Sequence, residues 1–199
     1  MRAIIIFLVG LSLSGCALTE ATTDIDYKSQ ASASIIPGAE SVAVSVAVTD
    51  SRSTNRDRVS VKKNGYGMEM AAIKSSRPVT DIVTGAVEQA LVARGFKIAP
   101  GAVEVRVELV RFWNDYKTGF FGGKAYADVL LNVQVRNVAG RPIHIRSYNG
   151  EGVVEAVANM GGDNAGEALS GALTSVIDSL VSDPAFLQSL KDAGKSAGT

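Results

Sequence analysis

The sequence contains few of the side chains that most catalytic and metal sites need. It has one cysteine and one histidine in 199 residues. A lone cysteine excludes an intramolecular disulfide, and one cysteine with one histidine leaves too few ligands for a typical zinc site. Histidine-assisted nucleophilic catalysis would depend on His144 alone, which lies between Ile143 and Ile145 in the pattern of an ordinary surface strand. We therefore predict a protein that is not an enzyme and carries no cofactor or metal.

The sequence also lacks an excess of charge of either sign. Lys and Arg number 20, as do Asp and Glu, so no overall field attracts nucleic acid. Gly65-Tyr66-Gly67 and Gly122-Gly123 do not match the spacing of a phosphate-binding loop. Nucleotides and nucleic acids are not expected partners.

The N-terminus has the three parts of a secretory signal. Arg2 supplies a positive charge, an apolar run extends from Ala3 to Leu13, and Leu13-Ser14-Gly15 precedes Cys16. About ten apolar residues are too few to span a bilayer, which needs about 20. The Leu-Ser-Gly-Cys segment resembles the lipobox of bacterial lipoproteins, which implies cleavage before Cys16 and its acylation. The resemblance also implies, because Ala17 rather than aspartate follows the cysteine, that the lipid lies in the periplasmic face of the outer membrane.

The composition divides the chain into four parts. Residues 1–15 are the predicted signal peptide, and residues 16–40 are rich in Ala, Ser and Thr without periodicity, which predicts a flexible tether. Residues 41–193 are long enough for a single domain with its own core. Residues 194–199 are predicted to be a frayed tail.

Alternating apolar residues predict the strands. The alternation is present from Val42 to Thr49, from Val103 to Leu109, from Ala127 to Val135 and, after a turn at 137–141, from Ile143 to about Glu155. The last three of these strands are expected to form a meander, because short turns connect antiparallel neighbours. A short edge strand at 96–98 and another at 59–62 are further candidates.

Apolar stripes of helical period predict the helices. One helix is expected from Pro78 to Arg94 with Gly95 after its last turn, and a second around 168–180. Asp183-Pro184 predicts the start of a short third helix reaching about Lys191. The predicted fold class is α+β: a single antiparallel sheet of about four to five strands with two main helices on one face.

Two loops are the candidate partner-binding segments. The segment 50–74 is long for a connection and basic, and its candidate residues are Asp50, Arg52, Arg56, Arg58, Lys63 and Tyr66. The alternative is a solvated connection in which Arg52 pairs with Asp50. The second loop contains Phe120 and Phe121 between glycines, and these rings either form an exposed apolar patch or fold back over the core.

Several of these segments together resemble a known family. Besides the lipobox, they are Asp50-Ser51-Arg52, Lys63-Asn64-Gly65-Tyr66-Gly67 and the helix end Ala93-Arg94-Gly95-Phe96. In these segments the chain resembles the YajG-type family of uncharacterised bacterial lipoproteins. The resemblance implies a small periplasmic domain on a lipid anchor and transfers no catalytic or ligand residue.

Three functions remain open from the sequence. The first is a non-enzymatic envelope module that binds a protein or cell-wall partner through the two loops. The second is an accessory lipoprotein of an envelope lipid or solute transport system, in which a groove holds an apolar ligand. The third is a hydrolase of envelope material that uses His144 or carboxylates.

Overall fold

The computed structural model describes residues 19–29, 34–64, 66–100, 103–119, 122–157 and 160–195. These residues form eight strands, three α-helices and a 3-10 turn at Ala39–Ser41. The strands are β1 (Ala21–Thr23), β2 (Ala43–Asp50), β3 (Ser60–Lys63), β4 (Glu69–Ser75), β5 (Lys97–Ile98), β6 (Val103–Gly119), β7 (Gly122–Arg136) and β8 (Pro142–Val157). The helices are α1 (Val79–Ala93), α2 (Gly162–Ser182) and α3 (Pro184–Lys195).

The larger sheet is mixed. Its five strands have the order β5-β2-β6-β7-β8, and β2 is parallel to both β5 and β6. A strand that is followed by a crossover helix returns beside itself in the same direction, and α1 is that helix. The prediction of a single antiparallel sheet is therefore wrong, although the α+β class is confirmed.

The predicted meander is confirmed for the last three strands. β6, β7 and β8 pair antiparallel, and β7 buries alternate residues from Ala125 to Val135 completely. β6 extends ten residues beyond the predicted end at Leu109, because a bulge between Leu109 and Arg111 restores a buried alternation through Phe112 and Tyr116.

A second sheet of three strands has the order β1-β4-β3. β2 ends beside Leu109, and β3 takes the free edge of β6 beyond that point through the bond from the Asn114 amide to the Val59 carbonyl, 2.9 Å long. The predicted strand at 59–62 therefore exists within one residue of its bounds. Most of the predicted long connection 50–74 is folded as the hairpin of β3 and β4.

The second sheet also contains part of the predicted flexible tether. Ala21–Thr23 pair with β4, Ile25 is completely buried, and the Thr23 hydroxyl donates to the Gly162 carbonyl at 2.8 Å. The tether prediction is wrong for these residues, and Ala39 is buried as well. A three-residue strand that pairs with residues fifty positions later leaves no local period in the sequence.

All three helices pack on one face of the larger sheet. α1 agrees with its predicted bounds within one residue, and Gly95 after it has φ +98°, the left-handed conformation expected there. α2 lies against Gly150 and Gly152 of β8, where a Cβ would overlap the helix backbone. α3 continues through Lys195, past the predicted start of the frayed tail.

Candidate functional site

Arg52 is the centre of a buried polar cluster. Its side chain is only 4% exposed, and Nε and Nη2 donate to the two carboxylate oxygens of Asp50 at 2.9 and 2.8 Å. The same guanidinium donates to the carbonyls of Asn55, Arg56 and Arg58 at 3.0 to 3.2 Å. Five donors in a fixed plane suit this arrangement, because each carbonyl of the loop lies at a fork position.

The cluster fixes the loop rather than presenting Arg52 to a partner. The hydrogen bond from Arg52 holds the pKa of Asp50 below its usual value, so the pair stays charged. Arg56 is exposed and donates through Nε to the Arg52 carbonyl at 2.6 Å, and Arg58 donates to the Asn55 side chain at 3.1 Å. The geometry favours the alternative in which Arg52 pairs with Asp50.

The hairpin of β3 and β4 presents the other predicted residues of this segment. Lys63 is 15% exposed and contacts the Asp115 carboxylate at 2.5 Å. Tyr66 is 91% exposed and Met68 is 58% exposed. The Asn64 side chain accepts from the amides of both Tyr66 and Met68 at 3.0 Å, which fixes the turn.

Three predicted residues lie outside the described part of the chain: Cys16, Phe120 and Phe121. The hairpin that contains the phenylalanines is bounded by the last pair of the β6–β7 ladder, Gly119 with Gly122. Its position at the end of this ladder is therefore known. The lipidation of Cys16 and the role of the two rings stay predictions.

The opposite face of the larger sheet is not covered by any described element. It contains a cavity of about 580 Å³ above the centre of the sheet. The cavity is lined by strands β2, β6, β7 and β8, and its charged residues are Glu104, Arg106, Glu108 and Arg136. We call this surface the open face.

The open face combines opposite charges with apolar contacts. Glu104 and Arg106 form an ion pair at 2.9 Å, and Arg136 donates to Gln134 at 2.6 Å. Beside them Ile145 is 69% exposed, the largest exposure of an aliphatic side chain in β8. Polar groups around an exposed apolar residue are typical of a surface that a partner protein covers.

The histidine belongs to a polar cluster between β8 and α3. Nε2 of His144 lies 3.1 Å from the Tyr148 hydroxyl, which donates to the Asp183 carboxylate at 2.6 Å. Arg146 donates to the same carboxylate at 2.9 Å. Asp183 is buried and also accepts from the Ala185 amide at 2.9 Å, as the predicted N-cap of α3.

The electrostatics of this cluster fit a structural role. Burial lowers the pKa of His144, and the pKa of Tyr148 is raised by burial and by its bond to Asp183. Burial opposes ionisation of Asp183, but its pKa is lowered because its bonds from Tyr148 and Ala185 and the charge of Arg146 together outweigh burial. No group of three metal-ligating side chains occurs among the described residues.

Sequence reasoning missed Tyr148 and Arg146 as partners of Asp183. The signal was present in part: the alternation of β8 places His144, Arg146 and Tyr148 on one face, and Asp183 is a recognisable cap. What the pattern lacked was the packing of α3 beside β8. A contact of that kind depends on tertiary structure.

Comparison with known proteins gives a family but no described activity. The model of a family described as "Uncharacterized lipoprotein" matches residues 29–191. This match confirms the YajG-type resemblance of the sequence. No functionally curated protein matches the chain.

Solved structures share the fold at low identity. A Xanthomonas campestris protein assigned to the family DUF330 has a TM-score of 0.56 at 17% identity, and the alignment covers 90% of this chain and 98% of that one. A minor lipoprotein of Acinetobacter baumannii has a TM-score of 0.39 at 11% identity, with 78% and 92% covered. None of the described helices is long and apolar enough to cross a membrane.

Proposed function

Because the chain belongs to this family of uncharacterised lipoproteins, we propose that it is a lipid-anchored envelope protein that binds a partner protein through its open face. The anchor is the acyl group on Cys16, and the location is the periplasmic face of the outer membrane. The module performs no reaction itself.

The uncovered face of the larger sheet is the observation that carries this proposal. All three helices pack on the other face, so the open face keeps Arg106 half exposed and Ile145 69% exposed. Sheets of globular domains usually bury one face and leave the other to solvent, so exposure alone decides nothing. The cavity of about 580 Å³ and the exposed isoleucine beside paired charges are the features that favour a protein partner.

The cavity lining disfavours the apolar ligand of a transport accessory. Most of its residues are polar or charged, with Glu104, Glu108 and Arg136 at its walls. An apolar ligand would leave these groups without water or a partner, which costs free energy. A protein surface with complementary charges satisfies them instead.

The hydrolase alternative finds little support in the geometry around His144. Its Nε2 is occupied by the Tyr148 hydroxyl. The nearby hydroxyl of Ser189, which lines the same cavity, donates to the Phe186 carbonyl at 2.7 Å. A serine nucleophile needs the histidine as its base, and the two side chains are bonded elsewhere.

Two measurements test the proposal. The mass of the N-terminal peptide reports acylation of Cys16, with Cys16→Ala as the control that must lose the lipid and the membrane fraction. Partner capture from crosslinked cells should be lost in the double variant Arg106→Glu and Arg136→Glu. Lys195→Glu, a charge reversal at the end of α3, is the matched control and should capture the same partner. Equal capture by both variants would overturn the role of the open face.

A further inference from the structure

We propose that the tip of the β3–β4 hairpin docks into the surface of the bilayer that holds the lipid anchor. The hairpin tip is defined by Asn64, Tyr66, Gly67 and Met68. The inference rests on the proposed function only through the anchor at Cys16. The partner surface for the tip is thus lipid, while the open face is left for protein.

The strand pairing places the anchor and the hairpin tip at the same end of the molecule. β1 is parallel to β4, with Ala21 opposite Ile73. The N-terminal ends of the two strands therefore point the same way, and β4 begins at Glu69, directly after the tip. The chain that leads back to Cys16 leaves β1 on the side of the tip.

The length of chain between the anchor and the domain is short. Cys16 precedes Thr19, the first described residue, by three positions. Three residues span at most about 11 Å when fully extended. Since Ala21–Thr23 are held in the sheet, the acyl group keeps this end of the domain close to the bilayer.

The side chains of the hairpin tip suit the interface between lipid and water. Tyr66 is 91% exposed and Met68 is 58% exposed, the first with an apolar ring and a polar hydroxyl. Tyrosine is enriched at this interface for that reason, and an unbranched methionine adapts to irregular apolar surroundings. Two large exposed side chains on one turn otherwise cost solubility.

The backbone of the hairpin tip is prepared for a less aqueous environment. Asn64 accepts the amides of Tyr66 and Met68, and the Gly67 amide donates to the Asn64 carbonyl at 2.9 Å. Unpaired amides are costly in lipid, and these three are already bonded. Lys63 is paired with Asp115, so the docking depends on apolar contact more than on anionic headgroups.

The chain offers a matched control position. Val138, in the turn between β7 and β8, is 58% exposed, the same as Met68. Met160 contacts the position of Gly123 and lines a cavity together with Asn64, so the start of β7 lies at the end of the hairpin tip. Val138 follows the other end of this 15-residue strand, roughly 45 Å away at 3.3 Å per residue.

Fluorescence quenching in vesicles tests the inference. Met68→Cys, Tyr66→Cys and Val138→Cys are labelled with an environment-sensitive dye in the acylated chain, whose Cys16 thiol is blocked. The proteins are reconstituted in phosphatidylcholine vesicles that contain a lipid with a spin label near the headgroup. We expect a blue shift and quenching at positions 66 and 68, unchanged in high salt, and neither at position 138.

A second tether separates failure of this inference from failure of the proposed function. The same cysteine variants of residues 17–199, held by an N-terminal histidine tag on nickel-chelating lipid, report docking even when Cys16 proves not to be acylated. Acylated protein whose positions 66 and 68 remain unquenched overturns the docking alone. Equal quenching at positions 68 and 138 also overturns it, because the domain then has no preferred end.

Discussion

Replacement of Gly152 by alanine probes the closest contact between β8 and α2. A Cβ on Gly152 would lie 2.0 Å from the Ala168 carbonyl oxygen and 2.6 Å from the Ala172 amide nitrogen. Ordinary contacts begin at 3.4 Å, so α2 would have to move away by about 1.4 Å. Both overlapping atoms belong to the helix backbone, and rotation of a side chain does not relieve them.

The expected cost is large for the addition of one methyl group. Insertion of a methyl into a packed core costs about 1 to 3 kcal/mol. We expect about 3 kcal/mol here, because α2 also packs on Gly150, where a Cβ would lie 2.3 Å from the Ala172 carbonyl oxygen, and the helix cannot tilt at one site alone. The measurement is urea unfolding of the mature domain.

Gly85→Ala in α1 is the matched control. Nothing lies within 4 Å of a Cβ at this position, and alanine is favoured over glycine inside a helix by about 0.5 to 1 kcal/mol. The control should therefore unfold at higher urea concentration than wild type. If Gly152→Ala unfolds at the wild-type midpoint, the close packing of α2 on β8 is refuted.

Four further outcomes are expected from the polar clusters. Arg52→Met should destabilise the domain by about 3 to 5 kcal/mol, because Asp50 keeps a buried charge without its partner, whereas Arg56→Ala should cost about 1 kcal/mol or less in the same urea assay. Acid titration should show the Asp50 contribution in full above its unfolded pKa of 3.8 and lose it as pH falls through the lowered folded value, a loss absent in Asp50→Asn. His144 has a folded pKa below 6.5, so wild type should lose stability as pH falls below 6.5, and His144→Phe should lose less over the same interval; equal slopes would contradict this. Tyr116→Phe should cost about 1 kcal/mol, because the hydroxyl bond to the Gly161 carbonyl at the start of α2 is lost, and an unchanged melting curve would count against that bond.

Local periodicity was sufficient to predict the long elements. The alternation in β6, β7 and β8 and the stripe in α1 depend only on which residues of a segment face the core. Asp183-Pro184 marked the start of α3 because a cap and a first-turn proline act within one turn. These features need no knowledge of the rest of the chain.

Contacts between distant segments were not predictable in the same way. The parallel pairing of β2 with β6 required the crossover through α1 to be recognised, and the pairing of Ala21–Thr23 with β4 joins segments fifty residues apart. The same holds for the candidate residues. Arg52 has the composition of a surface residue, and only the loop geometry shows that its five donors are directed inward.

The open face was hidden from the sequence for a related reason. Glu104, Arg106 and Glu108 predicted a wet strand face, and the structure confirms that they share one side. What the sequence did not show is that neighbouring strands add Arg136 and the exposed Ile145 to the same surface. A binding surface spread over four strands leaves no contiguous motif.

Site-specific photocrosslinking in living cells tests the role of the open face most directly. A photoreactive amino acid is placed at Arg106 or Ile145 on the open face, and at Gln89 on the exposed side of α1 as the control. We expect one discrete protein adduct from positions 106 and 145 and none from position 89. No adduct from either open-face position, or the same adducts from position 89, would contradict the proposal that this face binds a partner protein.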